Sequence, residues 1–202
     1  MAITLTHSVE YLQNVLTDIY QHYLDRTPDA PGLHYWVQTM QSGTSDQQVE
    51  ASFLGSREYI ADHGGTGAAW VQGMYHDLLG RNPDSQGLAY WEQQLNQGAS
   101  PQAVALGFAA SPERAGQHIA TDYWTYLGRA ASPQEVNYWV GQFRQGTSNE
   151  MLVANFISAP EYYQQQHRGG GTAADWVSSA YRDVFHRVAA PGDIQYWSDV
   201  IE

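Results

Sequence analysis

The sequence predicts an all-α fold built as a tandem array of three-helix repeats in two similar halves, and three observations carry that prediction. The pattern Tyr-x5-Arg-x9-Trp occurs four times, as Tyr20/Arg26/Trp36, Tyr75/Arg81/Trp91, Tyr123/Arg129/Trp139 and Tyr181/Arg187/Trp197. Helix-capping residues recur at constant distance from the Trp. No stretch shows the period-two alternation of β-branched residues between hairpin turns that a sheet needs. Successive Trp residues lie 55, 48 and 58 positions apart (36 to 91, 91 to 139, 139 to 197), and self-similarity at such a period marks stacked supersecondary units.

The first helix of a copy carries an apolar stripe, Val15, Ile19, Tyr20 and Tyr23 or Val71, Met74, Tyr75 and Leu78, at the spacing of one helical face. Gly80 and Gly128 suit its left-handed C-terminal cap. The second helix opens after Pro28-Asp29 and Pro83-Asp84, with Asp as N-cap, and in copy three at Ser132-Pro133-Gln134-Glu135, a capping box with Pro in the first turn. Copy four has Ala190-Pro191 there and is expected to start less firmly. Leu33, Trp36 and Met40 share a face of this helix, as do Leu88, Trp91 and Leu95, or Val136, Trp139 and Phe143. The four Trp are therefore expected in the core, and Tyr35, Tyr90 and Tyr138 point about 100° away from them.

Gly43, Gly98 and Gly146 stop the second helix, and Ser45, Ser100 and Ser148 cap a third that carries Phe53, Phe108 and Phe156, then Glu58, Glu113 and Glu161. The fourth copy ends before any of these and reads as truncated. The repeats are accordingly placed at 1–66, 67–118, 119–171 and 172–202. A longer symmetry relates Gly64-Gly65-Thr66-Gly67-Ala68-Ala69-Trp70-Val71 to Gly169-Gly170-Gly171-Thr172-Ala173-Ala174-Asp175-Trp176-Val177. It predicts two related halves, 1–118 and 119–202, with the seam near Gly116 to Thr121 in a helix that runs on unbroken.

Composition narrows the function. With 43% hydrophobic and 13% aromatic residues the chain has material for a core. Its nine basic residues, all Arg, face 21 acids for a formal net charge of -12, which disfavours nucleic-acid partners. No apolar run approaches the roughly 20 residues that span a bilayer, so membrane insertion is not expected. Met1 to Val15 lacks the basic flank and apolar centre of a secretory signal. Absence of Cys removes disulfides, thiolate metal sites and cysteine nucleophiles together.

The segment Leu79-Gly80-Arg81-Asn82-Pro83-Asp84-Ser85-Gln86-Gly87-Leu88-Ala89-Tyr90-Trp91, followed by Gly98-Ala99-Ser100 and Phe108-Ala109-Ala110-Ser111-Pro112-Glu113, resembles the bacterial repeat family known as domain of unknown function 4214 (DUF4214). Copies three and four depart from it, replacing the Pro-Asp and the following Gly. The resemblance implies helical repeats found in tandem in large secreted or surface-layer proteins, similar in pattern to phycobilisome linker domains, with no common enzymatic activity. It therefore implies an extracellular or cell-surface location, reached without an N-terminal signal peptide.

No group of residues assembles a catalytic or metal site. His22, His76 and His186 occupy different positions in their copies and form no His-x3-His or His-Glu-x2-His group. No Gly-x-Ser-x-Gly elbow sits on a strand, and Gly64-Gly65-Thr66-Gly67 lacks the Lys of a phosphate loop. Neither catalysis nor a cofactor is expected. Arg26, Arg81 and Arg129 are expected to pair internally with Glu58, Glu113 and Glu161, leaving Arg187 without a partner in its own copy. The expected exposed aromatics are Trp124, Tyr162 and Tyr163, with Trp70 and Trp176 behind them. The expected function is a non-catalytic module for attachment or assembly, partnered by other regions of a larger surface protein or by a surface glycan. The alternatives are a lectin-like carbohydrate-binding module and an accessory domain of a secreted enzyme.

Overall fold

The stretch carrying the repeated Phe and Glu is broken between the two, so each of the first three repeats folds into four helical segments where three were expected. In the computed structural model, which describes residues 2–165 and 170–201, no β-strand occurs among the described residues. Helices α1 (Ala2–Thr6) and α2 (Val9–Leu24) open the chain. Repeat one continues through α3 (Ala30–Gln41), α4 (Asp46–Leu54) and α5 (Arg57–Asp62), and repeat two through α6 (Ala68–Leu79), α7 (Ser85–Asn96), α8 (Pro101–Ala109) and α9 (Pro112–Asp122). Repeat three begins at a π-helical turn, Tyr123–Leu127, that continues α9, followed by α10 (Pro133–Arg144), α11 (Asn149–Ser158) and α12 (Pro160–Gln164); α13 (Ala173–Phe185) and α14 (Pro191–Ile201) close the chain. Gly169, the first residue of the second Gly-rich segment, lies outside the described residues.

The break has a local cause. Ser56 and Ser111 offer their hydroxyls to the N–H groups of Tyr59 and Arg114, which starts a new helix there. Pro112 and Pro160 stand where a continuing helix would need a backbone donor. The expected caps form: Asp29, Asp84, Ser45, Ser100, Ser132 and Ser148 each accept an N–H of the turn that follows. Helix α14 starts better than expected, because Asp193 reaches back to accept the Ala190 N–H at 3.1 Å.

The residue before each repeated Arg is left-handed in all four copies: Asp25 (φ 48°), Gly80 (φ 61°), Gly128 (φ 67°) and His186 (φ 55°). Glycine supplies this conformation without strain in two of them, while Asp25 and His186 adopt it at some cost.

The helices divide into two compact units, Val15–Gln117 and a second that joins Met1–Asn14 to His118–Glu202. The boundaries fall inside α2 and α9. This differs from the expected halves in one respect: the first fourteen residues go with the later part of the chain.

In the unit Val15–Gln117, α4 packs along α8. Gly55, at the end of α4, lets the Gln102 backbone approach, and Gln102 Nε2 donates to the Gly55 carbonyl at 2.9 Å. Trp70 is fully buried, and its indole N–H donates to the Leu54 carbonyl at 2.9 Å. In the other unit α1 packs along α11, and Trp176 donates to the Ile157 carbonyl at 2.6 Å. Trp70 and Trp176 are thus core anchors and not exposed aromatics. Trp36, Trp91, Trp139 and Trp197, expected in the core, are only half-buried. Each keeps part of its ring exposed to solvent.

Replacing His186 by Gly is expected to stabilise the protein by up to about 1 kcal/mol, since it removes the left-handed penalty at an exposed cap. Urea denaturation measures this; no gain would mean that His186 is held there by something other than backbone geometry.

Candidate functional site

The repeated Arg and the repeated aromatics form one construction in each copy. The guanidinium carbon of Arg26, Arg81, Arg129 and Arg187 lies 4.8–4.9 Å from the ring centroid of the Tyr six residues earlier. The same guanidinium engages a carboxylate through two donors: Arg26 Nε and Nη2 reach Glu58 at 2.5 and 2.9 Å, and Arg81 reaches Glu113 at 2.6 and 2.7 Å. Arg129 meets Glu161 at 2.6 and 3.2 Å. In each copy Nη1 also donates to the carbonyl of the following residue. The planar fork thus ties the end of the first helix to the start of the fourth.

Solvent reaches these pairs. Arg81 and Glu113 side chains are 41% and 42% exposed, and the other repeats are similar. Hydrogen bonds from Arg26 and Arg81 hold the Glu58 and Glu113 carboxyls below the usual range. In copies three and four an acid replaces the Gly that follows the Asp cap. Glu135 receives Arg129 at 2.7 and 3.0 Å, and Asp193 lies 3.5 Å from Arg187. Arg129, together with the Ser132 backbone N–H, lowers the Glu135 carboxyl to about 2. In copies one and two that position is Gly, and a Cβ on Gly32 or Gly87 would meet the hydroxyl of Tyr20 or Tyr75, which would have to shift.

Repeat four is completed from the far end of the sequence. Arg187, expected to lack a partner, donates to Glu10 at 2.5 and 3.0 Å across 177 residues. The equivalence extends along the segment. Ser8 caps α2 by accepting the Tyr11 N–H, as Ser56 and Ser111 cap α5 and α9. Asn14 donates to the Phe185 carbonyl as Gln117 does to Leu79 and Gln165 to Leu127, each residue four positions after its Glu. Ser8-Val9-Glu10-Tyr11 beside Ser56-Arg57-Glu58-Tyr59 was the available signal.

The side chains that remain toward solvent are the Tyr residues preceding the Trp. Tyr35, Tyr90, Tyr138 and Tyr196 are 60%, 53%, 59% and 62% exposed, and each meets its neighbouring Trp edge-on at 4.9–5.2 Å. The Trp is held from behind. Trp36, Trp91 and Trp139 pack on Phe53, Phe108 and Phe156, and Trp139 and Trp197 donate to the hydroxyls of Tyr123 and Tyr181 at 3.3 and 3.0 Å. Every repeat therefore displays a fixed aromatic pair with a free phenolic edge, two pairs in each unit.

Of the expected exposed aromatics, Trp124 is exposed, on the π-helical turn, and Tyr163 is half-buried. Tyr162 is not exposed. It is fully buried and its hydroxyl donates to Asp183 at 2.9 Å, because α12 starts at Pro160 and turns this residue inward, where Tyr59 in repeat one likewise meets Asp77 at 2.7 Å. The structure also gathers His22, His63 and His76 at Asp77, with His76 Nδ1 2.9 Å and His63 Nε2 3.8 Å from its carboxylate and His22 Nε2 2.9 Å from its carbonyl. Gly73 leaves room for the His63 ring, which stacks on Tyr59 at 4.0 Å. Among the described residues no group of three or more His, Asp or Glu is placed to hold a metal ion. No described helix is long and apolar enough to cross a membrane.

Comparison with known proteins places the repeats. The family described as "Domain of unknown function (DUF4214)" matches three times, at residues 12–63, 50–118 and 114–166. No curated protein and no solved structure matches the chain.

At about 40% exposure the Arg81–Glu113 attraction is screened, so a double-mutant cycle with Ala is expected to give a coupling of about 0.5–1 kcal/mol, below the 3–5 of breaking a buried pair. Zero coupling would show the fork to be incidental. The depressed carboxyls also set a pH dependence. In unfolded chain a Glu titrates near ~4.3, so the pairs stabilise the fold above that pH and the contribution is lost as pH falls through the folded values, for Glu135 down to about 2. Glu135→Gln is expected to flatten stability against pH between these limits; an unchanged slope would contradict the assignment.

Proposed function

The chain belongs to the DUF4214 family, and from that premise we propose that it is a non-catalytic attachment module of a bacterial secreted or cell-surface protein, binding surface glycan through its Tyr–Trp pairs. One observation carries the reading: the exposed Tyr and half-exposed Trp recur with the same edge-on geometry in all four repeats. A pyranose ring offers apolar C–H faces with hydroxyls at the rim, and a Tyr–Trp pair offers flat apolar faces beside a phenolic donor. Gln38 and Gln93 follow Tyr35 and Tyr90 by three positions, one turn along the same helix, where an amide both donates and accepts.

Charge narrows the ligand class. The net charge of -12 opposes polyanionic polymers, so a neutral glycan is the fitting partner. Weak single contacts suit a repeat protein, because several linked sites on one polymer multiply into usable avidity.

Replacing Tyr35, Tyr90, Tyr138 and Tyr196 together by Ala is expected to lower binding on an array of neutral glycans by at least about tenfold, each ring supplying on the order of 1 kcal/mol. The melting temperature should stay within a few degrees, because exposed side chains outside the core contribute little to stability. An array on which the intact protein binds no sugar, or binding that survives the fourfold replacement, would sink the reading. Retention of a surface protein in place of a sugar would move the aromatic pairs to a protein interface.

A further inference from the structure

The slot filled by residues 2–14 is built from contacts that do not depend on which chain supplies them, and we propose that it is a self-assembly site. Residues 2–14 of one copy dock into the His118–Ile201 body of a second copy, and the exchange is reciprocal. Three contacts define the slot: α1 lies along α11, Glu10 meets the Arg187 fork, and Asn14 donates to the Phe185 carbonyl. Helix α2 runs unbroken from Val9 to Leu24, so the segment exchanges together with Val15–Gln117; all three contacts are kept, and the closed monomer is favoured by the effective concentration of its own segment.

The segment also departs from its counterparts in the other repeats. In repeats one to three the corresponding helix follows the Trp-bearing helix after a short loop, whereas the segment of repeat four is separated from its Arg by 177 residues. Leu5 stands five residues before Glu10 where the other copies have Phe53, Phe108 and Phe156. Tyr181 accordingly meets Phe185 of its own helix, while Tyr20, Tyr75 and Tyr123 meet the Phe of the third helix. Between the segment and the rest of its unit, the chain runs through the whole of Val15–Gln117.

Charge reversal tests the exchange. Glu10→Arg alone places two cations together, and Arg187→Glu alone places two carboxylates together, in the closed monomer and in a homodimer alike. Mixed in equal amounts, the two variants can satisfy both pairs only by exchanging segments. Light scattering after size exclusion is expected to show each variant alone at the 22.5 kDa of one chain and the mixture with a species of twice that mass. The double variant Glu10→Arg/Arg187→Glu restores the pair within one chain and should remain a monomer. A mixture that stays at monomer mass, with both variants helical by circular dichroism, overturns the proposal. Should either variant fail to fold, the wild-type chain, refolded at high concentration from equal parts of isotope-labelled and unlabelled protein, is expected to give dimers of mixed mass in native mass spectrometry. Monomers alone would overturn the proposal there as well.

Discussion

The fork between the repeated Arg and its Glu, laid over a Tyr ring, is the interaction on which the repeat depends. It joins the end of the first helix to the start of the fourth, and those two points bracket the loop and two helices between them. A guanidinium suits the position because one planar group can face a ring, receive a carboxylate edge and still donate to the next carbonyl. A Lys ammonium has no such plane. The stabilisation from each fork is modest, since solvent reaches both partners; what the fork supplies is geometry, fixing where the fourth helix begins relative to the Tyr and Trp. The exposed aromatic pair inherits its position from this frame.

Copies differ where the frame allows it. In repeats one and two a Gly stands beside the Asp cap and the Tyr20 or Tyr75 hydroxyl lies in the space a Cβ would enter. Repeats three and four place Glu135 and Asp193 there, and the acid both supports the helix start and gives the Arg a second carboxylate. The unit Val15–Gln117 carries a buried variation of its own. Glu50 is 4% exposed and accepts from Arg114 at 2.5 Å and from the Tyr23 hydroxyl at 2.9 Å. Arg114 follows Glu113 as Tyr59 follows Glu58, so one sequence position carries a buried phenol in one repeat and a part-buried cation in the next. Such a pair stabilises little in net terms but is costly to break.

Much of this was legible in the sequence, and what was not has physical reasons. The three Arg–Glu pairs within copies follow from a constant separation of 32 residues, and the caps follow from Asp or Ser before each apolar stripe. The Glu10–Arg187 pair escaped because its two members belong to a repeat interrupted by the rest of the chain, and a reading copy by copy never sets residue 10 beside residue 187. Burial of the Trp was misjudged because helical periodicity reports which face a residue lies on, not how far its neighbours cover it. Tyr162 was misplaced because it stands outside the repeated Trp pattern, whereas the helix that restarts at Pro160 turns it inward onto Asp183. The gathering of His22, His63 and His76 at Asp77 depends on tertiary packing that no local pattern announces.

The most direct test of the central claim is the exchange of arginine side-chain protons, read by nitrogen-detected NMR on the wild-type chain and on Glu10→Ala. The account predicts slow exchange of the Nε–H of Arg26, Arg81, Arg129 and Arg187, each donating to a carboxylate, with faster exchange at Arg144. It predicts that Glu10→Ala abolishes the protection of Arg187 and leaves the other three intact. An Arg187 signal that ignores the loss of Glu10, or four forks that exchange like Arg144, would contradict the account.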